Sequence, residues 1–270
     1  MVATDKVFAG SIPETYERFL VPLIFEPYAI DLAQRIAVIG PRQVLETAAG
    51  TGVLTRALLS RLPEEARIVA TDLNQPMLNH AAARQAPDHR LKWQQADATA
   101  LPFEDQTFDV VACQFGAMFF PDKVQGYREA RRVLEPNGRF IFNVWDRISE
   151  NDFPDVVIET LASVFPQDPP RFLARTPHGY CETGVIRDQL MAAGFTKISI
   201  DTVDAKSKAP SPADAAIAFC KGTPLRNEIE ARDPARLEEA TQKAAEALAR
   251  RFGSGAIEGR IRAHVMTASC

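Results

Sequence analysis

The chain has 270 residues, with 31 Lys+Arg against 35 Asp+Glu and a net charge of -4. Its 46% hydrophobic and 24% charged content match a soluble globular protein and argue against disordered, collagen-like and coiled-coil classes. Nor does this balance give a general grip on nucleic acid: the densest basic group, Arg128, Arg131 and Arg132, is interleaved with Glu129 and Glu135.

Cys113, Cys181, Cys220 and Cys270 are far apart and lack metal-ligand spacing, so free thiols in a reducing compartment and no metal centre are expected. Met1–Gly10 lacks a basic region followed by an apolar run, so no secretory leader is expected. The most apolar stretch, Phe19–Gly40, is broken by Pro22, Glu26, Pro27, Asp31 and Arg35 and is too interrupted to span a bilayer. These features predict a cytoplasmic protein without stable membrane insertion.

In chain order, residues 11–40 show helical spacing and predict an N-terminal helical cap. Val44–Ala48 reads as a strand ending in Ala49-Gly50-Thr51-Gly52, followed by a helix that stops at Pro63. Arg67–Asp72 is an apolar run ending in an acid, a strand buried on both faces. A helix over 75–85 follows, with Pro76 in its first turn. Leu91–Ala96 and Phe108–Phe115 read as strands, 122–134 as a helix, Pro136-Asn137-Gly138 as a turn and Arg139–Trp145 as a fifth strand. Five strand–helix units over 41–150 imply a mostly parallel sheet with helices on both faces.

Beyond residue 150, helices are expected around 156–165, over 183–193 with Gly194 as terminator, and from the capping box Ser211-Pro212-Ala213-Asp214. Thr196–Val203 predicts a strand, Asp233–Arg251 a long Ala-rich helix, and Arg262–Thr267 a short antiparallel strand.

In open parallel sheets ligands bind beyond the carboxyl ends of the strands. The loop Glu46-Thr47-Ala48-Ala49-Gly50-Thr51-Gly52 lies there, and its glycines let a ligand approach the backbone. Asp72 ends the second strand, placed to accept hydrogen bonds from both hydroxyls of a ribose. Asp97, after the third strand, can accept from an adenine amine between apolar neighbours. A dinucleotide oxidoreductase would need a third glycine where Thr55 stands, so that fingerprint is broken.

Four segments in order resemble one family. Val44–Gly52 is similar to the first motif, E-x-x-x-G-x-G, of class I S-adenosylmethionine-dependent methyltransferases, with Ala48 where many members carry glycine. Ala70–Asn74 with Met77-Leu78 resembles the second motif. Gln95–Ala98 with Leu101-Pro102-Phe103 resembles the third, and Tyr127–Leu134 with Pro136-Asn137-Gly138 the fourth. The subgroup resembled is the type 11, ubiquinone/menaquinone-methyltransferase-like set.

The resemblance implies a Rossmann-like seven-stranded α/β sheet with a helical lid, and S-adenosylmethionine as cofactor. It implies that Ala48, Ala49, Gly50, Thr51 and Gly52 hold the methionine moiety, steadied by Glu46. Asp72 would bind the ribose, Leu73 and Met77 line the adenine, and Asp97 and Ala98 contact its edge. Gln114 and Phe115 would lie by the sulfonium, and Tyr16 and Arg18 would close over the cofactor.

Methyl transfer from a sulfonium is an in-line displacement, so alignment and a dry site matter most, and a base is needed only for a protonated nucleophile. Candidate bases are His178 and Tyr180, in a loop able to reach the strand ends, and Asp146 after the fifth strand. His80, His89 and His264 read as surface or structural. The expected organisation is a single domain: cap 1–40, cofactor core 41–150, and acceptor lid with final strands 151–270. The expected partner is a small apolar or aromatic methyl acceptor, bound by a monomer or homodimer. A quinone precursor or lipid as acceptor, and a non-catalytic cofactor-binding protein, are the alternatives.

Overall fold

The structure, a computed structural model, describes Gly10 and residues 12–270. Apart from Gly10, the leader reading of the first ten residues, like Ser11 of the cap, lies outside the described residues. Seven strands form one mixed sheet: β1 (Gln43–Glu46), β2 (Arg67–Asp72), β3 (Leu91–Gln95), β4 (Phe108–Gln114), β5 (Leu134–Trp145), β6 (Lys197–Ala209) and β7 (Ile257–Ser269). Their spatial order is β3-β2-β1-β4-β5-β7-β6. The first five are parallel, and the order reverses between β1 and β4. Thr196 N donates to Ser269 O at 3.0 Å and Thr202 bonds His264 at 3.0 Å, so β6 and β7 run antiparallel.

Helices follow in chain order: α1 (Ile12–Thr15), a π-helical segment Tyr16–Phe25, α2 (Glu26–Ile39), α3 (Val53–Leu59), α4 (Gln75–Arg84), α5 (Lys123–Val133), α6 (Asp152–Val164), α7 (Phe172–Arg175), α8 (Thr183–Ala192), α9 (Pro212–Lys221), α10 (Leu225–Arg232) and α11 (Leu237–Phe252). The chain divides into two compact units. A sheet unit comprises Tyr28–Val144, Cys181–Val203 and Ala263–Cys270; a helical unit comprises the residues up to Pro27, Trp145–Tyr180 and Asp204–Arg262.

In the sheet unit, Ala29, Leu32, Ala33 and Ile36 of α2 and Leu54 and Leu58 of α3 cover one face over Val44, Ile68, Val110, Ala112 and Ile141. A different set, Tyr127 of α5 with Phe140, Phe142 and Phe195, packs ring on ring at centroid distances of 4.6–6.0 Å. β1 is short and is located at its start by Asp109, whose Oδ2 accepts from Arg42 N at 2.6 Å and Gln43 N at 2.7 Å. In the helical unit, α11 turns Ala240, Thr241, Ala244 and Leu248 toward α9 and α6. Small side chains on α9 (Ala215, Ala216, Ala218) let those helices approach closely. Ser211 caps α9 as the box predicts, accepting from Asp214 N and donating to its carboxylate.

Four expectations change. No helix links β3 to β4, because residues 96–107 are turns around Leu101-Pro102-Phe103. β5 begins at Leu134, bulges through residues that include the expected turn Pro136-Asn137-Gly138, and resumes pairing at Arg139. The last strand has 13 residues rather than a short stub, because Ile257, Gly259 and Ile261 continue its buried alternation. The helical pattern expected over 11–40 forms over residues 12–39, but from Tyr28 onward it is core of the sheet unit rather than cap.

Candidate active site

The carboxyl ends of neighbouring strands β1, β2 and β4 bring together most of the residues singled out for the cofactor. The β1 loop turns three times through the left-handed region, at Ala48 (φ 53°), Gly50 (φ 57°) and Gly52 (φ 83°). Only glycine adopts that conformation freely, so Ala48 holds strain of about 1–2 kcal/mol. Gly52 serves a packing purpose: a Cβ there would stand 2.9 Å from the Trp93 ring and 3.3 Å from Ala81. Gly50 is different, since a Cβ there would meet only Met77 Cε, at 3.7 Å. The close-approach role expected of both glycines thus falls to Gly50.

Asp72 ends β2 and is 7% exposed. Its Oδ2 accepts from Gly50 N at 2.9 Å and its Oδ1 from Asn74 N at 2.7 Å. Oδ1 also accepts from Asn74 Nδ2 at 3.4 Å, so the remaining lone pair, on Oδ2, can accept one further donor. Burial raises the Asp72 pKa, opposed by these amides. Glu46 is buried at the end of β1, where its Oε2 accepts from Thr55 Oγ1 at 2.5 Å. Burial pushes its carboxyl up to about 8, so near neutrality it is largely protonated. Thr55, which broke the dinucleotide fingerprint, is therefore the partner of Glu46.

Leu73 is 45% exposed and Met77 is buried, so one is open to a ligand and the other supports the loop from below. Asp97 lies exposed beyond β3, with Oδ1 accepting from Thr99 N and Thr99 Oγ1; it shapes the turn that presents Ala98. Gln114 ends β4 and is buried. Phe115 takes a left-handed turn (φ 51°), its amide donating to Asn143 Oδ1 at 2.9 Å and its ring standing edge-on to Tyr28. Next to it, a Cβ on Gly116 would lie 2.3 Å from Ala48 Cβ. Asn143 and Gly116 were not among the expected site residues. The signal for Asn143 was a lone amide inside the apolar run Phe140–Trp145.

The residues present fit S-adenosylmethionine. Gly50 leaves the loop open to a ligand, and Oδ2 of Asp72 can accept one more donor. The buried Thr51 Oγ1 and Asn143 Nδ2 have no hydrogen-bond partner among the described residues, which marks polar atoms that the fold alone does not satisfy.

The acceptor candidates lie in the helical unit. There Tyr16 stacks on Phe25 (5.1 Å), Phe25 tilts against Trp145 (5.9 Å), and Trp145 against His178 (6.0 Å). His178 Nδ1 lies 2.8 Å from the Asp146 carbonyl. A carbonyl only accepts, so Nδ1 carries the proton and Nε2 the lone pair. Burial lowers the His178 pKa to about 4, which corrects the expectation of a base titrating near 6.5: this imidazole is neutral at physiological pH. The Asp146 carboxylate accepts from Arg147 N at 2.7 Å, while the residue's main-chain carbonyl meets His178 Nδ1. Tyr180 is half-buried two residues on, and Arg18 stacks on Phe19. Among the described residues no helix is long and apolar enough to cross a membrane.

A family profile described as "Methyltransferase domain" matches residues 44–138. The chain is 35% identical over 114 residues to a demethylmenaquinone methyltransferase of Clavibacter sepedonicus, covering 42% of this chain and 45% of the relative. It is 29% identical over 195 residues to a ubiquinone/menaquinone biosynthesis C-methyltransferase UbiE of Idiomarina loihiensis, covering 67% of this chain and 75% of that one. In fold it is similar to phosphoethanolamine N-methyltransferase 2 of Haemonchus contortus (TM-score 0.61, 16% identity, all of this chain and 61% of that one). The chain thus spans about half the length of the Clavibacter relative. Over residues 44–138 the chain is thus similar to the methyltransferase domain family.

Proposed function

We propose that the protein transfers a methyl group from S-adenosylmethionine to a small apolar or aromatic molecule. The observation that carries this reading is the Gly50–Asp72 hydrogen bond, which fixes an acid with a spare lone pair on Oδ2 beside an open glycine loop. The bound cofactor supplies an electrophilic methyl on a sulfonium. Asp72 binds the ribose hydroxyls, and the Ala49–Gly52 backbone with Gln114 and Phe115 orients the methionine part. Glu46, a neutral acid paired with Thr55, offers an oxygen to the amino group of that part, and Leu73, Met77, Asp97 and Ala98 frame the adenine.

The aromatic series Tyr16, Phe25, Trp145 and His178 favours a flat apolar acceptor. His178 Nε2 is a neutral hydrogen-bond acceptor suited to orient a hydroxyl; Tyr180 follows it two residues on, and the Asp146 carbonyl accepts from its Nδ1. Because the reaction neutralises charge when an anion attacks, alignment does most of the work. The names of the curated relatives favour a quinone precursor within that class. Incubating the chain with labelled cofactor and a panel of phenols, naphthoquinols and amines tests the reading. Label should pass to a quinol or phenol, and transfer to none of the panel by a folded, cofactor-binding protein would leave the non-catalytic alternative.

A further inference from the structure

We infer that Asn143 is a positioning residue of the methyl-transfer site, acting through the Phe115 turn; this rests on the proposed reading of the β4 loop as part of the cofactor site. Asn143 is fully buried near the carboxyl end of β5, opposite Gln114 in the register of β4. Alternation along the strand puts it on the face of Ile141, which packs with Leu32 of α2 and Leu54 of α3. An amide there is expensive: its neighbours are Phe140, Ile141, Phe142, Val144 and Trp145, and its Nδ2 finds no hydrogen-bond partner. A buried orphan donor calls for a reason other than stability.

The other end of the amide supplies one. Oδ1 accepts from Phe115 N at 2.9 Å, where Phe115 is held at φ 51°, a conformation costly for a bulky residue. That turn sets Gly116 against the Ala48 methyl, and Ala48 is itself left-handed. Asn143, Phe115, Gly116 and Ala48 thus link β5, the β4 loop and the glycine loop by contact. If the carbonyl of Asn143 lets go, Phe115 relaxes toward an ordinary backbone conformation and Ala48 loses the neighbour that fixes its place.

The test titrates S-adenosylhomocysteine into the full chain and its variants by calorimetry, alongside their thermal midpoints. Wild-type protein that does not bind it refutes the cofactor reading itself, not the role of Asn143. Given binding, Asn143→Leu should weaken affinity about tenfold or more, since both amide functions are lost. Asn143→Asp retains an oxygen for Phe115 N and should stay within about threefold of wild type. In a Phe115→Gly background, where the turn needs no support, Asn143→Leu should cost less than about twofold. Equal losses for Leu and Asp, or the same loss with Phe and Gly at 115, would overturn the assignment. Should the Leu variant not fold, the Asp variant decides alone: wild-type-like affinity supports the role and a loss of tenfold refutes it.

Discussion

The Asp72 carboxylate accepts the Gly50 amide at 2.9 Å, tying the end of β2 to the glycine loop that follows β1. This bond joins two motifs 22 residues apart into one surface at the strand ends. It also separates the two glycines of the loop, because Gly50 faces Asp72 whereas Gly52 faces Trp93 and Ala81. Gly52→Val should therefore lower the thermal midpoint, since its side chain would collide with the Trp93 ring. Gly50→Ala should cost only the backbone strain of about 1–2 kcal/mol and act mainly on ligand affinity. Thermal melts and calorimetry on both variants check this; a stable Gly52→Val protein that fails to bind would reverse the two roles.

Ala48 and Gly116 form a second coupled pair. A methyl on Gly116 would meet Ala48 Cβ at 2.3 Å and Cys113 Sγ at 2.8 Å, so Gly116→Ala should destabilise by about 2 kcal/mol or more. Ala48→Gly removes one of the clashing atoms and should recover part of that loss. Denaturant titrations of the two single variants and the double variant measure the coupling, and strictly additive effects would mean that the two loops do not press on each other.

Stability should depend on pH through two buried groups of opposite sign. The Glu46 carboxyl sits near 8 in the folded chain against an ordinary 4.5, so the folded state holds its proton more tightly. Its contribution is full below about 4.5 and is lost as pH rises through about 8. His178 sits near 4 against 6.5, so its contribution is present above about 6.5 and is lost as pH falls toward 4. Glu46→Gln should flatten the alkaline side of the thermal midpoint against pH, and His178→Phe the acid side. Curves parallel to wild type over about pH 4 to 9 would show that neither shift is real.

A buried, neutral His178 also predicts the shape of the rate profile. With the true acceptor, His178→Ala should lower kcat about 10-fold to 100-fold, through lost orientation of the acceptor. Wild-type kcat should show no inflection near the ordinary histidine pKa. An inflection there that vanishes in the variant would make His178 a titrating general base instead.

Much of this was legible in the sequence, for physical reasons that differ by element. The parallel strands are apolar on both faces, so Val110-Val111-Ala112 and Ile68-Val69-Ala70 announce themselves without alternation. Ser211 and Gly194 marked a helix start and a helix end by side-chain and backbone chemistry that is local. The β3–β4 connection was misread because its Leu and Phe pack in turns rather than on a helix. Asn143 escaped notice because its role depends on a partner 28 residues away. His178 was placed as a base from its unperturbed chemistry, and burial, which no local pattern reveals, moved it. The division of the N-terminal helical run at Pro27 is likewise set by tertiary packing, since Ala29, Leu32 and Ile36 enter the sheet core while the preceding residues belong to the helical unit.

Calorimetric titration of S-adenosylhomocysteine into wild-type protein and Asp72→Ala bears most directly on the cofactor site. Wild type should bind one equivalent, and the variant should lose about 1–3 kcal/mol of binding free energy, because hydrogen bonds to a buried acceptor disappear. Folded wild-type protein that gives no binding, or an Asp72→Ala protein that binds with unchanged affinity, would contradict the assignment of the glycine loop and Asp72 as the place where the cofactor is held.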